Sequence, residues 1–367
     1  MPHVSRRNFL TGTAALGIAA AAPGSKLAFG QESMLKVGVV HQGPIGDVGW
    51  EAHHARAWKA MEEAFPDRVK ATVLDNVLQA QDAERVFRQL AAKGHKLIIG
   101  TTFSQYATLR KLAPTLKNNI FECCAGISPL ENMGVFEARS YEGSYLTGLI
   151  AGRMTKSNVV GWVGAFPIPQ VIYNLGGFVL GARKVNPNVT CKLVWVNSWS
   201  DPPKEKDAVN ALISQGVDII SGSPNTPVQG LTAQEKGVWS IGMTIDASKY
   251  VKQKQLSSFV LDWSPAYIEA VHGTLDGTWK PESRWRGIGK GGFVKMTTQN
   301  AAIPDDVLAY MREQEAAMIA GSAHAFAGPI KDQDGNMRVA AGTVIPDDEL
   351  RGMNWLVEGV DGSLPSN

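Results

Sequence analysis

The stretch LKVGVVHQGPIGDVGW, residues 35 to 50, indicates the fold of this chain. It joins a short apolar run to a turn rich in glycine, and a segment with apolar residues three and four positions apart continues to Phe65. Short apolar strands alternate with amphipathic helices in this way when helices cover a parallel sheet. We therefore predict a strand over residues 35 to 42, a loop over 43 to 49 and a helix that begins at Trp50.

The same unit of strand, turn and helix recurs along the chain. A first series is predicted to contain strands at 69–74, 96–100, 120–124 and 132–137, and helices at 79–93 and 104–115. A second series is predicted to contain helices at 141–154, 170–184, 204–215, 228–236 and 265–275, and strands at 159–164, 191–196, 218–221, 239–243 and 255–261. The less regular tail predicts strand or loop at 287–296, a helix at 305–320 and a hairpin that turns at Asp334 and Gly335.

Two series of this kind predict an α/β protein with two parallel-sheet lobes that the chain crosses several times. Removing 30 residues from 367 leaves 337, which is enough for two domains. We assign residues 31–138 and about 264–300 to the first lobe, and residues 139–263 to the second. Residues 301–367 are predicted to pack across both lobes.

The first 30 residues have the layout of an export signal. Arg6 and Arg7 form a charged pair, an apolar run follows from Ala14 to Ala22, and a small-residue exit follows at Ala28-Phe29-Gly30. This order predicts a twin-arginine signal peptide that is cleaved near Gly30, and a periplasmic mature chain. The alternative interpretation is an ordinary start with a chance arginine pair.

The balance of charges points away from nucleic acid as a partner. Lys and Arg together number 36 and Asp and Glu 34, so the chain lacks the strong basic excess of nucleic-acid-binding proteins. We expect a small-molecule partner and a monomeric chain. Cys123, Cys124 and Cys191 are too few for a disulfide framework, and we interpret them as apolar core residues.

Several motif-like stretches lack the spacing that their chemistry requires. Glu51, His53 and His54 do not form the two-histidine helix motif of zinc proteases. Residues 332–336 open like a calcium loop but have glycine at the wrong position, and residues 287–292 lack the ending of a phosphate-binding loop. We therefore predict no metal, no cofactor and no enzymatic activity.

The candidate binding site follows from the predicted strand ends. Ligands of open parallel sheets bind beyond the carboxyl ends of the strands. Several tryptophans and phenylalanines fall there, and stacking of a flat base on such a ring contributes about 1–3 kcal/mol. The aromatic candidates are Trp50, Phe103, Phe166 and Trp199, with Trp263 beside them. The polar candidates are Asp47, His54, Asn225, Asp246 and Asp262.

Four motifs in this order resemble the basic membrane protein family of ABC transporter substrate-binding proteins, which includes bacterial purine nucleoside receptors. They are KVGVV at 36–40 followed by GDVGW at 46–50, YEGSYLTG at 141–148, NSWSDP at 197–202, and AQEKGV at 233–238 leading to IG at 241–242. The resemblance covers nearly the whole mature chain. It implies a type I periplasmic binding protein with a multi-strand hinge, which closes on one ligand and delivers it to an ABC permease in the inner membrane.

The resemblance also implies roles for particular residues. Trp50 is expected to stack on the ligand and Asp47 to accept its hydrogen bonds. Trp199 and Asn225 match ligand loops of the second lobe, and Asp246 lies near a later acidic position. Nucleoside-binding members tend to carry a lysine after the strand at 255–261, where this chain has Asp262 and Trp263.

We therefore predict a receptor for a purine base or a close heterocycle, with a nucleoside as the second choice. Asn225 is expected to face the polar edge of the base, because an amide both donates and accepts hydrogen bonds. A receptor for another small solute, such as an amide or an amino-acid derivative, remains open, as does a sensor domain with the same site. The alternative from another class is an enzyme exported by the twin-arginine pathway.

Overall fold

The computed structural model describes residues 34 to 365. The predicted signal peptide lies outside the described residues. The helices within them are α1 (Trp50–Ala64), α2 (Ala80–Ala92), α3 (Tyr106–Leu112), α4 (Ser140–Met154), α5 (Pro169–Val185), α6 (Pro202–Ser214), α7 (Val228–Glu235), α8 (Ser264–Asp276), α9 (Asp305–Ile319) and α10 (Asp347–Arg351).

The strands of the described chain alternate with these helices over most of its length. They are β1 (Leu35–Val40), β2 (Val69–Leu74), β3 (Leu97–Gly100), β4 (Ile120–Cys124), β5 (Met133–Ala138), β6 (Val159–Gly164), β7 (Thr190–Trp195), β8 (Ile219–Gly222), β9 (Trp239–Gly242), β10 (Gln255–Leu261), β11 (Ser283–Arg286), β12 (Val294–Gln299), β13 (Ile330–Lys331), β14 (Met337–Val339) and β15 (Val360–Asp361).

Two large sheets carry the fold. The first has the order β11-β5-β4-β3-β1-β2, and all its strands are parallel. The second has the order β12-β10-β9-β8-β6-β7-β15, and β12 alone runs antiparallel to its neighbour. We call the first sheet with α1, α2, α3 and α8 the first lobe. The second lobe is the second sheet with α4, α5, α6, α7 and α9.

The chain passes between the lobes three times. The connections are Arg139 between β5 and α4, residues 262–263 between β10 and α8, and residues 287–293 between β11 and β12. A Glu142 oxygen in α4 accepts a hydrogen bond from the Ile288 nitrogen at 2.8 Å, which ties the first connection to the third. The carboxyl ends of the strands in both lobes therefore lie near a common hinge.

The helices α4 and α5 pack unusually closely in the second lobe. A Cβ atom on Gly148 would lie 2.2 Å from the Phe178 carbonyl oxygen, and one on Gly181 would lie 2.1 Å from the Tyr145 carbonyl oxygen. Glycine is required at both positions, because any side chain would collide with backbone. This contact explains the glycine that ends the sequence motif at 141–148.

The C-terminal segment contacts the second lobe and the hinge. Phe326 and Met353 are buried and pack over Gly176 of α5. Asp347 of α10 forms an ion pair with Arg139 at 2.5 Å, and the Arg351 guanidinium lies 4.7 Å from the ring of Trp285 in β11.

The prediction of alternating strands and helices is confirmed for most of the chain. The strands β2, β4, β6 and β10 have the predicted bounds, and the hairpin at Asp334 pairs β13 with β14. The assignment of residues up to about 300 to the first lobe was wrong for β12, which pairs with β10 of the second sheet. The strand β11 was not predicted; its Arg284 is buried against Glu122 at 2.5 Å.

Candidate functional site

The loop before α1 joins the two lobes. Gly49 approaches the backbone of Asn225 so closely that a Cβ atom on the glycine would lie 2.9 Å from the Asn225 carbonyl oxygen. Val48 packs against a small cluster of Ile245, Ala247 and Val251 that follows β9. The loop at 43–49 therefore lies against the second lobe, and the carboxyl ends of both sheets face one cleft.

His53 forms a second link across the cleft. Its Nε2 donates to the Thr244 carbonyl oxygen at 2.5 Å, and its Nδ1 accepts from Arg56 Nη2 at 2.5 Å. Burial, followed by the charge of Arg56, lowers the pKa of His53 to about 4. The imidazole is therefore neutral at physiological pH and joins α1 to the loop after β9.

Asp47 lies at the exposed rim of the cleft. Its Oδ2 accepts a hydrogen bond from Lys249 Nζ at 2.6 Å and from the Tyr250 hydroxyl at 3.3 Å. The hydrogen bond and charge of Lys249 lower the pKa of the Asp47 carboxyl. Sequence reasoning made Asp47 a hydrogen-bond acceptor for the ligand, and in this structure it holds a side chain of the opposite lobe instead.

Phe166 and Trp199 form a pair of rings on the second lobe. Their centroids lie 5.4 Å apart, and 37% of the Trp199 surface is exposed. The Trp199 carbonyl oxygen accepts from the Asn225 nitrogen at 2.7 Å, so the two loops are fixed to each other. The side-chain amide of Asn225 has no hydrogen-bond partner among the described residues. These three predicted residues lie together, next to Gly49.

Trp50 is held rigidly on the first lobe. Its indole nitrogen donates to the Thr101 carbonyl oxygen at 2.7 Å, and its ring meets the Trp263 ring edge to face at 5.5 Å. The side chain is half buried, because it lies at the first turn of α1, beside Gly49. A ring fixed in this way offers a flat surface without loss of side-chain entropy on binding.

His54 and Trp263 lie in the core beneath Trp50. Both side chains are completely buried, their rings stack at 5.4 Å, and His54 Nδ1 is 2.9 Å from the Tyr267 hydroxyl. Burial lowers the pKa of His54 well below its ordinary value. Sequence reasoning treated His54 as a polar contact at the cleft, but helical periodicity turns this position inward. Its role in the structure is to support Trp50.

The remaining predicted residues are separate from this cluster. Phe103 stacks on Tyr106 at 6.2 Å and is 54% exposed on the first lobe. Asp246 Oδ1 accepts a hydrogen bond from the Ser248 nitrogen at 3.0 Å, which stabilises the turn within the loop after β9. Asp262 accepts from the Ser264 nitrogen at 3.0 Å at the start of α8, and its other oxygen binds Lys295.

Strained backbone marks the loops around the cleft. Ala125, Asn197 and Thr244 have positive φ angles of 57°, 51° and 55°, and each follows the carboxyl end of a strand by one or two residues. Residues other than glycine seldom adopt this backbone conformation, and the exceptions cluster at ligand sites.

Sequence reasoning missed Glu137 at the end of β5. Its Oε1 accepts from the Ala138 nitrogen at 2.8 Å and from Gln170 Nε2 at 3.4 Å. Burial raises the pKa of the Glu137 carboxyl to about 7. A charged residue directly after the run of residues 133–136 in β5 was the signal that could have identified it.

Three other kinds of feature bear on the function of the described chain: metal sites, reactive thiols and membrane-spanning helices. Its histidine, cysteine and carboxylate side chains form no group of three that could hold a metal ion. Cys123, Cys124 and Cys191 are buried, and burial raises the pKa of each thiol. Between residues 34 and 365, no helix has the length and apolar character needed to cross a membrane.

Comparison with known sequences identifies close relatives. The model of the Bmp family, described as ABC transporter substrate-binding protein PnrA-like, matches residues 34–323. A purine-binding protein of Brucella abortus is 41% identical over 334 residues, which cover 91% of this chain and 95% of the relative. A Haloferax volcanii protein with a provisional name as an ABC transporter glucose-binding protein is 31% identical over 327 residues, 89% of this chain and 80% of the relative.

Solved structures agree on the architecture. A solute-binding protein of an ABC transporter system from Aeropyrum pernix superposes with a TM-score of 0.68 at 18% identity, over 87% of this chain and 98% of its own. A solute-binding protein from Conexibacter woesei superposes with a TM-score of 0.67 at 22% identity, over 79% of this chain and 98% of its own. At these identities the likeness shows the fold alone, and it confirms the prediction of an α/β binding-protein fold with two parallel-sheet lobes.

Proposed function

Because the chain belongs to the Bmp family of PnrA-like ABC transporter substrate-binding proteins, we propose that it binds a free purine base in the cleft between its lobes. Membership of the family makes it the solute-binding component of an ABC transporter. Such a component binds a small molecule outside the cytoplasm and presents it to a membrane permease. We further propose that it works in the periplasm and reaches it by the twin-arginine pathway.

The paired rings of Phe166 and Trp199 carry the proposal for a flat aromatic ligand. The partly exposed indole of Trp199 lies beside Asn225, whose backbone touches the loop that leads to Trp50. A base that enters between the lobes therefore meets aromatic faces from both. Each stacking contact is worth about 1–3 kcal/mol, and stacking tolerates any base.

Asn225 is the proposed group that reads the edge of the base. Its side-chain amide finds no partner among the described residues, and it can donate and accept at once. An amide pairs well with the edge of adenine, which presents an acceptor beside an amino group. The Brucella abortus relative, which is named a purine-binding protein, supports this class of ligand.

A free base is favoured over a nucleoside by the state of Asp262. One of its oxygens accepts from the Ser264 nitrogen and the other binds Lys295, so a ribose hydroxyl would have to compete with both partners. Asp47 is likewise held by Lys249. The acidic side chains that would serve a sugar are thus engaged by the protein.

Direct ligand identification tests this proposal. The protein is purified without added ligand, and mass spectrometry identifies whatever small molecule it carries. Calorimetry on stripped protein then compares adenine, guanine and hypoxanthine with adenosine, inosine and glucose. We expect the bases to bind most tightly. Binding of glucose alone, or of none of these compounds, would overturn the proposal.

A tryptophan variant tests where the ligand lies. Replacing Trp199 by alanine removes one stacking face, so the Kd for the base should rise about 5- to 150-fold, the equivalent of 1–3 kcal/mol. Trp239 of the same lobe provides a matched control, since it is half buried but begins β9, at the opposite end of the strand from the cleft. Trp239→Ala should leave the Kd unchanged. Equal Kd values for Trp199→Ala and wild type would exclude the ring pair from the site.

A further inference from the structure

Glu137 occupies an unusual position at the hinge. It is the penultimate residue of β5, the strand from which the chain first leaves the first lobe. Strand ends of this kind line ligand clefts in parallel sheets. Its side chain is half buried, so it is neither a core residue nor a solvated surface charge.

The contacts of Glu137 place its carboxyl against the wall of the cleft. The Oε1 atom accepts from the Ala138 nitrogen at 2.8 Å and from Gln170 Nε2 at 3.4 Å. Gln170 lies in the first turn of α5, four residues after Phe166. The carboxyl therefore bridges the lobes beside the loop that carries an aromatic residue of the proposed site. Both donors bind Oε1, and Oε2 accepts no hydrogen bond from the described residues.

The environment of Glu137 moves the titration of its carboxyl towards neutral pH. Burial raises the pKa of the Glu137 carboxyl to about 7, although the hydrogen bond from the Ala138 nitrogen and the charge of Arg351 both favour the carboxylate. Tyr173 of α5 and Cys123 and Cys124 of β4 also lie close enough to interact with it electrostatically. Their own pKa values are raised by burial, so all three remain neutral and add no charge.

We propose that Glu137 is a specificity-determining residue that donates its carboxyl proton in a hydrogen bond to a ring nitrogen of the bound base. This inference rests on the proposed function. The two donors on Oε1 mark that atom as the carbonyl oxygen of the acid, so Oε2 carries the hydrogen. A purine presents unprotonated ring nitrogens, which a carboxylate would repel and a carboxylic acid can bind. The residue thus selects ligands with an acceptor at this edge.

Proton uptake on binding is the signature of this role. A group that titrates near pH 7 when free and stays protonated when bound takes up about 0.9 protons per ligand at pH 8. Its protonated fraction in the free protein also falls from about nine-tenths at pH 6 to about one-tenth at pH 8. The Kd of wild type should therefore rise about tenfold between these two pH values, and the Kd of a variant without this carboxyl should not. Adenine is a suitable probe because it does not itself titrate between these values.

The experiment compares adenine binding by wild type, Glu137→Gln and Glu142→Gln. Calorimetry in buffers of different ionisation enthalpy gives the proton uptake, and titrations at pH 6 and pH 8 give the ratio of Kd values. Glu142 is the control because burial also raises the pKa of its carboxyl, but its side chain binds the third connection at Ile288. We expect Glu142→Gln to behave like wild type, and Glu137→Gln to lose the uptake and the tenfold change.

Each outcome decides a different point. A wild type that binds adenine at pH 8 without proton uptake overturns this inference alone, and that measurement needs no variant. Uptake that persists in Glu137→Gln also overturns it, since the proton then belongs to another group. Failure of wild type to bind adenine at either pH overturns the proposed function, and this inference with it.

Discussion

Replacing Gly49 by alanine should weaken ligand binding by preventing full closure of the lobes. Gly49 has φ 86° and ψ −168°, a region that only glycine adopts readily, so alanine should lower the free energy of unfolding by about 1–3 kcal/mol. This strain belongs to the loop itself and acts whether the lobes are open or closed.

A second cost arises only when the lobes meet. The new Cβ atom would lie 2.9 Å from the Asn225 carbonyl oxygen and 3.3 Å from the Asn225 Cβ. A backbone oxygen cannot swing away like a side chain, so the lobes must separate by a few tenths of an ångström. Overpacking of this kind costs about 1–3 kcal/mol, which corresponds to a 5- to 150-fold higher Kd.

Two measurements separate these costs. Urea unfolding of the ligand-free protein reports the loop strain, and calorimetry with adenine reports the loss of closure. Gly46 lies in the same loop without a positive φ, and the nearest atom to its added Cβ is 3.9 Å away, so Gly46→Ala should change neither. A Kd for Gly49→Ala within twofold of wild type would refute the idea that this contact forms when ligand binds.

Three further predictions concern the same architecture. Folding lowers the pKa of His53 to about 4, so its contribution to stability is complete above pH 6.5 and is lost as the pH falls towards 4. Urea unfolding should therefore show that the free energy of unfolding of wild type falls by about 2 kcal/mol more between pH 7 and pH 5 than that of His53→Gln. Lys249→Met should raise the Kd for the ligand only slightly, because its ion pair with Asp47 is exposed to solvent. The effect should shrink at high salt, which screens exposed charges, and a large, salt-independent rise in Kd would contradict this prediction. Ending the chain at Gly359 removes β15 and the hydrogen bond that Trp195 donates to the Ser363 carbonyl oxygen. The free energy of unfolding in urea should fall by about 2–4 kcal/mol, and light scattering should show aggregation. Unchanged stability and solubility would mean that the edge of the second sheet does not need β15.

The sequence was sufficient to predict the sheets because their pattern is local. Apolar runs such as 120–124 have one stable environment, a strand covered on both faces, and turn residues mark their ends. The strand β11 escaped prediction because its Arg284 is buried against Glu122, an ion-pair partner 162 residues away. A pairing at that distance leaves no periodic signal.

The candidate site was predicted less completely for a related reason. The strand-end rule located Phe166, Trp199 and Asn225, which the structure brings together. It could not distinguish a side chain that faces the cleft from one that turns beneath it, and His54 belongs to the second kind. Contacts across the cleft, such as that of Asp47 with Lys249, depend on how two lobes meet, and no single segment encodes that geometry.

The place of β15 sets the order in which the protein is completed. The strand pairs through Val360 with Cys191 of β7, at the edge of the second sheet. Because Val360 comes much later in the chain than Cys191, the second sheet keeps an open edge until that later segment has been made. A chain that folds before it crosses a membrane, as the predicted twin-arginine signal implies, therefore crosses with this edge already covered.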